Sequence, residues 1–146
     1  GYCFETPPGS QYPAILDENR ITAGVPFTID GEGGPVDIMP FDQIHGSIIS
    51  LGFRIGDMAY SSDVSDFDDR ALPHLQDLDI WIVDALQYRA HPSHLSLEQS
   101  LGWIARLNPK RAILSHMHTP LDYETVMAET PESVEPAFDG LQAEFR

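Results

Sequence analysis

The sequence predicts an α/β domain with a mixed sheet and helices on its outer face. Short runs of β-branched and aromatic residues bounded by Gly, Pro and Asp indicate strands, and segments with apolar residues at helical spacing alternate with the later strands. The chain of 146 residues has the length of one domain. It contains no internal repeat and no low-complexity segment. We therefore treat residues 1–146 as a single unit.

The stretch 41–64 is the centre of this prediction. Residues 48–55 supply the apolar bulk of a strand, and the turn at 56–57 leads into the next strand. In an antiparallel pair, ends that are distant in sequence return side by side. We therefore expect His45 and Asp63 to face one site.

An earlier hairpin is expected in the first third of the chain. Residues 1–20 show no periodic pattern and contain several prolines, which is typical of an ordered loop. Two short alternating segments, 25–30 and 36–41, flank the glycine-rich stretch 31–35. That stretch lacks the Lys-Ser/Thr ending of a phosphate-binding loop and leads into no helix, so a hairpin turn is the better interpretation.

Strands and helices alternate in the second half of the chain. The expected elements are a short helix to about Leu75, a buried strand at 79–84, a helix from the capping box at 96–99 to Asn108-Pro109, a strand at 110–115, a helix from Thr119 to about Ala128, and a short strand or docked coil near 134–141. The acids at 66, 68 and 69 lack the loop glycine and terminal Glu of an EF-hand, so they indicate a solvated helix start instead.

Composition narrows the class of function. The formal charge is −15, from 23 acidic and 8 basic residues, which disfavours binding of long nucleic acid. A small anionic substrate stays compatible, because a bound metal inverts the charge locally. Cys3 is the only cysteine, so an internal disulfide is ruled out and a reducing cytoplasm is expected. No apolar run approaches the roughly 18 residues of a membrane span.

Imidazoles and carboxylates gather at the predicted strand ends. His45, Asp63, Asp84 and His116 hold such positions, and His94 lies in a loop just before a helix. Imidazole and carboxylate ligands without thiolate are typical of an open Zn, Mn or Fe centre. Asp84 either orients a ligand histidine or bonds to backbone, and both interpretations stay open.

Three further histidines lie outside this set of strand-end and loop residues. His74 is expected to be solvated, and His91 is interpreted as a loop residue. His118 is the alternative to His116 as a metal ligand, because residues two apart on an extended strand point the same way.

Four motifs resemble the later motifs of metallo-β-lactamase-fold hydrolases: His45-Gly46, Tyr60-Ser61-Ser62-Asp63, Ser93-His94-Leu95-Ser96 and Ile113-Leu114-Ser115-His116. The chain is most similar in appearance to the phosphodiesterase branch, which includes cyclic-phosphate phosphodiesterases and, further off, tRNA-processing endonucleases. The resemblance implies half of an αββα sandwich. It also implies two divalent metal ions, Zn or Mn.

The resemblance assigns roles to individual residues. Asp63 would bridge the two ions, with His45 on one and His116, favoured over His118 by the Leu-Ser-His order, on the other. His94 would position the scissile phosphate and protonate the leaving oxygen, and Ser62 would contact the substrate. A hydroxide acidified by both ions would attack phosphorus in line.

One family feature is missing from the sequence. The His-x-His-x-Asp-His run, which supplies further ligands in the amino-terminal half of relatives, does not occur. We therefore expect residues 1–146 to be the carboxyl-terminal portion of a longer enzyme. Alone, the chain is expected to bind metal poorly and to be inactive.

The leading hypothesis is a metal-dependent hydrolase acting on a small cyclic or nucleotide-like phosphodiester. The alternatives are a thioester or lactam hydrolase of the same fold and a fragment that binds a nucleotide or phosphate without turnover. The expected partners are this small ligand and the missing amino-terminal half, with a homodimer as one option for assembly. Neither long nucleic acid nor a membrane is expected as a partner.

Overall fold

A computed structural model describes residues 3–145 and shows the expected α/β architecture. In that range the strands are β1 Phe27–Ile29, β2 Val36–His45, β3 Ile48–Ile55, β4 Met58–Ser61, β5 Ile80–Asp84, β6 Arg111–Ser115 and β7 Val134–Pro136. The helices are α1 Leu97–Leu107 and α2 Tyr123–Glu129, and a 3-10 helix spans Leu72–Leu75. None of the helices in the described part of the chain is long and apolar enough to cross a membrane.

All of these strands form one mixed sheet whose spatial order is the chain order. Strands β1 to β4 are antiparallel neighbours, whereas β4, β5, β6 and β7 run parallel to one another. The 3-10 helix lies in the crossover from β4 to β5, α1 in the crossover from β5 to β6, and α2 in the crossover from β6 to β7. This topology brings the carboxyl ends of β4, β5 and β6 to one edge of the sheet, where loops carry the polar side chains.

The core lies between the sheet and the helices. On β5, Trp81 and Val83 are fully buried and point to the helix side. Phe67 packs against Trp81 at 5.6 Å between ring centroids and against Trp103 of α1 at 5.2 Å. The loop after β4 is thereby fixed between sheet and helix by apolar packing.

Helix α1 starts and ends as expected. The Ser96 side chain accepts a hydrogen bond from the backbone N–H of Gln99, whose side chain accepts from the backbone N–H of Ser96. The helix ends at Asn108, which takes a left-handed conformation and satisfies the last turn. The capping box therefore sets the register of the loop that precedes α1.

Two expected helix boundaries are wrong. The acidic stretch before Leu72 is irregular, because the Asp68 side chain accepts hydrogen bonds from the backbone N–H groups of Arg70 and Ala71 and so replaces helical bonds. The last helix begins at Tyr123 with Asp122 as its cap rather than at Thr119. The chain before it forms a tight turn.

The end of the chain follows the prediction of a short strand with docked coil. Strand β7 is followed by a tail in which Phe138, Leu141 and Phe145 cover an apolar groove. The floor of that groove includes Ile82 and Ile113, on the sheet face opposite the helices. The tail therefore covers part of a face that the helices leave open.

Candidate active site

Side chains from five separate elements meet at the carboxyl edge of the parallel strands. His45 ends β2, Asp84 ends β5 and His116 directly follows β6. Asp63 lies just after β4, and His94 lies in the loop before α1. The sequence predicted that these residues would converge, and the structure brings them together.

His45, Asp63 and His94 form the tightest part of the cluster. One ligand atom from each lies within 4.8 Å of the others, and His45 Nε2 is 3.9 Å from Asp63 Oδ1. His45 Nδ1 lies 2.6 Å from the Ser93 carbonyl oxygen. Because a carbonyl only accepts, Nδ1 carries the proton, and Nε2 is left with a lone pair on the side of Asp63. This is the tautomer that a metal-binding histidine needs.

Asp84 supports the cluster from beneath. Its side chain is fully buried, and its Oδ2 accepts from His94 Nδ1 at 2.7 Å and from the Val64 backbone N–H at 3.2 Å. Asp84 therefore bonds to backbone, as one interpretation expected, and the histidine that it contacts is His94 rather than His45 or His116. Burial raises the pKa of the Asp84 carboxyl, while the hydrogen bond from His94 acts in the opposite direction.

His116 lies on the other side of His94. The two rings stack with centroids 4.9 Å apart. The Ser62 hydroxyl lies 3.3 Å from His116 Nδ1 and 3.4 Å from Asp63 Oδ2. Ser62 therefore links the carboxylate to this second imidazole.

Asp63 and His116 both have left-handed backbone. Their φ angles are +54° and +60°. Non-glycine residues rarely adopt this region, and each instance costs about 1–3 kcal/mol where the surroundings enforce it. Such strain at two neighbouring polar positions is typical of a functional site.

The backbone of His116 also corrects the argument that made His118 its equivalent. Strand β6 ends at Ser115 and the chain turns at His116, so the alternation of an extended strand no longer applies. The His118 backbone N–H donates to Leu86, and its ring lies 3.5 Å from the Thr119 hydroxyl. His116, by contrast, stacks on His94.

The structure adds to the interpretation of one histidine and corrects that of another. His91 lies in a loop, as interpreted, and its ring centroid lies 5.1 Å from that of His94. Its spacing of three residues from His94 in a short loop was the available signal. His74 is not freely solvated: its half-buried ring stacks on Phe41 with centroids 5.3 Å apart.

The residues present fit a divalent cation. The cluster offers imidazole and carboxylate donors without thiolate, and the Ser93 contact frees His45 Nε2 as a ligand atom. A cleft of about 540 Å³ opens beside His45 between the turn at Gly46-Ser47 and the loop at Pro92-Ser93. A small ligand can therefore reach the imidazole edge from solvent.

Comparison with known proteins agrees with this fold. The family model described as Beta-lactamase superfamily domain matches residues 5–117. A new diphosphatase from the PhnP family has a TM-score of 0.84 and 29% identity, covering 91% of this chain and 51% of that chain. YhfI from Bacillus subtilis, a metallo-β-lactamase fold protein, has a TM-score of 0.71 and 17% identity, covering 90% and 57% respectively. At that lower identity the likeness shows the fold alone.

A curated relative extends over nearly the whole chain. The octanoyltransferase of Porphyromonas gingivalis is 28% identical over 145 residues, which is 97% of this chain and 28% of that protein. The chain therefore spans about half of the two solved structures and little more than a quarter of this relative. With a family model matched over most of its length, the chain belongs to the β-lactamase superfamily domain family and has the metallo-hydrolase fold of that superfamily.

Proposed function

We propose that this chain carries part of the active site of a binuclear metal-dependent hydrolase that cleaves a small cyclic or nucleotide-like phosphodiester. The observation that carries the proposal is the position of His94. Its imidazole is held by the buried carboxylate of Asp84 and lies within 4.8 Å of the pair formed by His45 and Asp63. A proton donor and a set of cation ligands thus share one rim.

Asp63 is the proposed shared ligand of the two ions. Its Oδ1 faces His45 at 3.9 Å, and its Oδ2 faces the Ser62 hydroxyl, which in turn contacts His116. One oxygen of Asp63 therefore faces His45, and the other is linked through Ser62 to His116. This arrangement supports His45 as a ligand of one ion and His116 as a ligand of the other. Zn or Mn bound there would supply Lewis acidity toward a phosphoryl oxygen and a water of lowered pKa.

His94 is the proposed general acid. Its Nδ1 is engaged by Asp84, so Nε2 is the atom left to hold a proton for a leaving oxygen. Asp84 fixes the orientation of the ring through its hydrogen bond with Nδ1. Ser62 is proposed to contact the substrate phosphate from the same rim.

Further ligands are proposed to come from protein outside this chain. The chain covers 51% of the diphosphatase structure and 57% of YhfI, so a comparable length of those folds lies beyond the matched region. We propose that residues 1–146 form the carboxyl-terminal portion of the domain. By itself this portion would then have low metal affinity and little activity.

The 29% identity to a diphosphatase of the PhnP family supports phosphoryl chemistry rather than thioester or lactam hydrolysis. A net charge of −15 supports a small substrate rather than long nucleic acid as the partner. A single cysteine supports the cytoplasm as the compartment. We propose no membrane partner. A homodimer is one option for the assembly.

The test is a substrate panel on the natural polypeptide that contains this chain, loaded with Mn²⁺ or Zn²⁺. Chromogenic phosphodiesters and cyclic nucleotides are compared with thioesters and lactams, using Asp63→Ala as the disabled variant and Thr28→Val as a distant control. Turnover of phosphodiesters by the wild type and Thr28→Val alone supports the proposal. Turnover of thioesters or lactams only, or binding of nucleotide with no turnover of any substrate, contradicts it.

A further inference from the structure

The strained backbone at Asp63 is held by side chains from neighbouring strands. The Ser62 carbonyl accepts a hydrogen bond from Gln43 Nε2 at 2.6 Å. The Asp63 carbonyl accepts from the Ser50 hydroxyl at 2.7 Å. With its φ of +54°, Asp63 needs such external support, because left-handed backbone is unfavourable for a residue with a Cβ.

Gln43 is an unusual residue for its position on β2. Its side chain is 1% exposed, and its Oε1 has no hydrogen-bond partner among the described residues. Leaving a buried acceptor unpaired costs about 1–3 kcal/mol. The amide cannot be reversed to avoid this, because the Ser62 carbonyl accepts only and requires the nitrogen on its side.

The adjacent strand leaves room for this glutamine. Gly52 on β3 lies opposite Phe41, two pairs along from Gln43 and Ser50 in the same antiparallel ladder. A Cβ at Gly52 would lie 2.7 Å from Gln43 Oε1 and 2.4 Å from the Phe41 ring. Only glycine therefore lets the Gln43 side chain cross to the Ser62 carbonyl.

A methionine at position 43 would fill similar space without a buried unpaired acceptor, so core packing alone does not account for a glutamine. We infer that Gln43 is a positioning residue that fixes the 62–63 peptide and so aims the Asp63 carboxylate at the metal site. It acts through the backbone and touches neither ligand nor substrate. The inference rests on the proposed function for the metal role of Asp63.

The test compares Gln43→Met with Thr130→Val in the natural polypeptide that contains this chain. Thr130 makes a matching side-chain hydrogen bond, from its hydroxyl to the Val134 carbonyl at 3.0 Å, away from the site. Without metal, backbone chemical shifts report whether Asp63 keeps its left-handed conformation. We expect Gln43→Met to lose it and Thr130→Val to retain it.

Mn²⁺ titration of the folded proteins is the second readout. We expect Gln43→Met to weaken the affinity at least 10-fold and Thr130→Val to leave it unchanged. A merely structural role predicts instead a lower denaturation midpoint with unchanged affinity. If Gln43→Met does not fold, Gln43→Leu replaces it.

Retention of the Asp63 conformation and of Mn²⁺ affinity in the folded variant would overturn the inference. Failure of the wild-type natural polypeptide to take up Mn²⁺ would count against the metal role in the proposed function. The chemical shifts would still decide whether Gln43 positions Asp63. The two failures are therefore distinguishable.

Discussion

The buried carboxylate of Asp84 lies 2.7 Å from Nδ1 of His94. The same oxygen accepts from the Val64 backbone N–H, one residue beyond the candidate ligand Asp63. One side chain therefore holds both the loop that carries the carboxylate and the ring that lies beside it. Its other oxygen has no protein partner in the described part of the chain, so the Asp84 contacts are concentrated on this link.

Asp84→Asn tests this link. Asparagine keeps the shape and can still accept from Val64, but it removes the negative charge of the carboxylate beside His94 Nδ1. We expect turnover of phosphodiesters to fall about 10–100-fold, as for other residues that orient site histidines. Steady-state kinetics of the metal-loaded natural polypeptide measures this. Unchanged turnover would show that Asp84 serves only the backbone.

The variant His94→Ala tests whether His94 acts as the general acid or as a metal ligand. With His94 as the general acid, the variant keeps its metal and turnover falls about 10²–10⁴-fold. Metal content by elemental analysis, measured on the same preparation as the kinetics, decides between the roles. An empty metal site in His94→Ala would assign His94 as a ligand together with His45 and Asp63.

His116→Ala and His118→Ala form a matched pair two residues apart. Because His116 stacks on His94 and contacts Ser62 while His118 contacts Thr119, only the first should matter. We expect Mn²⁺ affinity to fall at least 10-fold in His116→Ala, by analogy with the loss of one metal contact. Calorimetric titration measures it. A larger loss in His118→Ala would reverse the assignment.

His74 predicts a pH dependence of stability away from the site. Burial lowers the pKa of its imidazole, and the nearby Arg54 guanidinium adds to the effect. The unfolded chain, with an ordinary pKa of about 6.5, then binds the proton more readily than the folded chain. Stability contributed by neutral His74 is therefore complete above pH ~6.5 and decreases as the pH falls from there through the folded pKa.

His74→Phe keeps the stack on Phe41 and removes the titration. Urea denaturation at pH 7.5 and pH 5.5 should show a smaller loss of unfolding free energy on acidification in the variant than in the wild type. His118→Phe is the control, because its exposed ring should not change the loss. An equal loss in wild type and His74→Phe would contradict the prediction.

Local patterns predicted most of the fold. The capping box at Ser96 and the apolar run of β5 depend on neighbouring residues only, so the sequence shows them directly. The convergence of His45 and Asp63 could also be predicted, because antiparallel pairing brings ends that are distant in sequence side by side. Asp84 and His116 could be placed together because each follows or ends a strand of the parallel part of the sheet.

The errors have physical causes that pattern does not reveal. The helix expected before Leu75 does not form there, because the Asp68 side chain accepts hydrogen bonds from backbone N–H groups that a helix would pair with carbonyl oxygens. The turn at His116 depends on a left-handed backbone conformation, and a histidine in the sequence does not predict that conformation. Gln43 was missed because its partner is the carbonyl of Ser62, and that contact exists only once the strand register is known.

Metal content of Asp63→Ala tests the central claim most directly. The natural polypeptide that contains this chain is purified beside the variant, dialysed against Mn²⁺, and analysed for bound metal and folded state. The account predicts about two equivalents in the wild type, as in other two-metal sites, and near-complete loss in folded Asp63→Ala. Equal metal content in both proteins would contradict it.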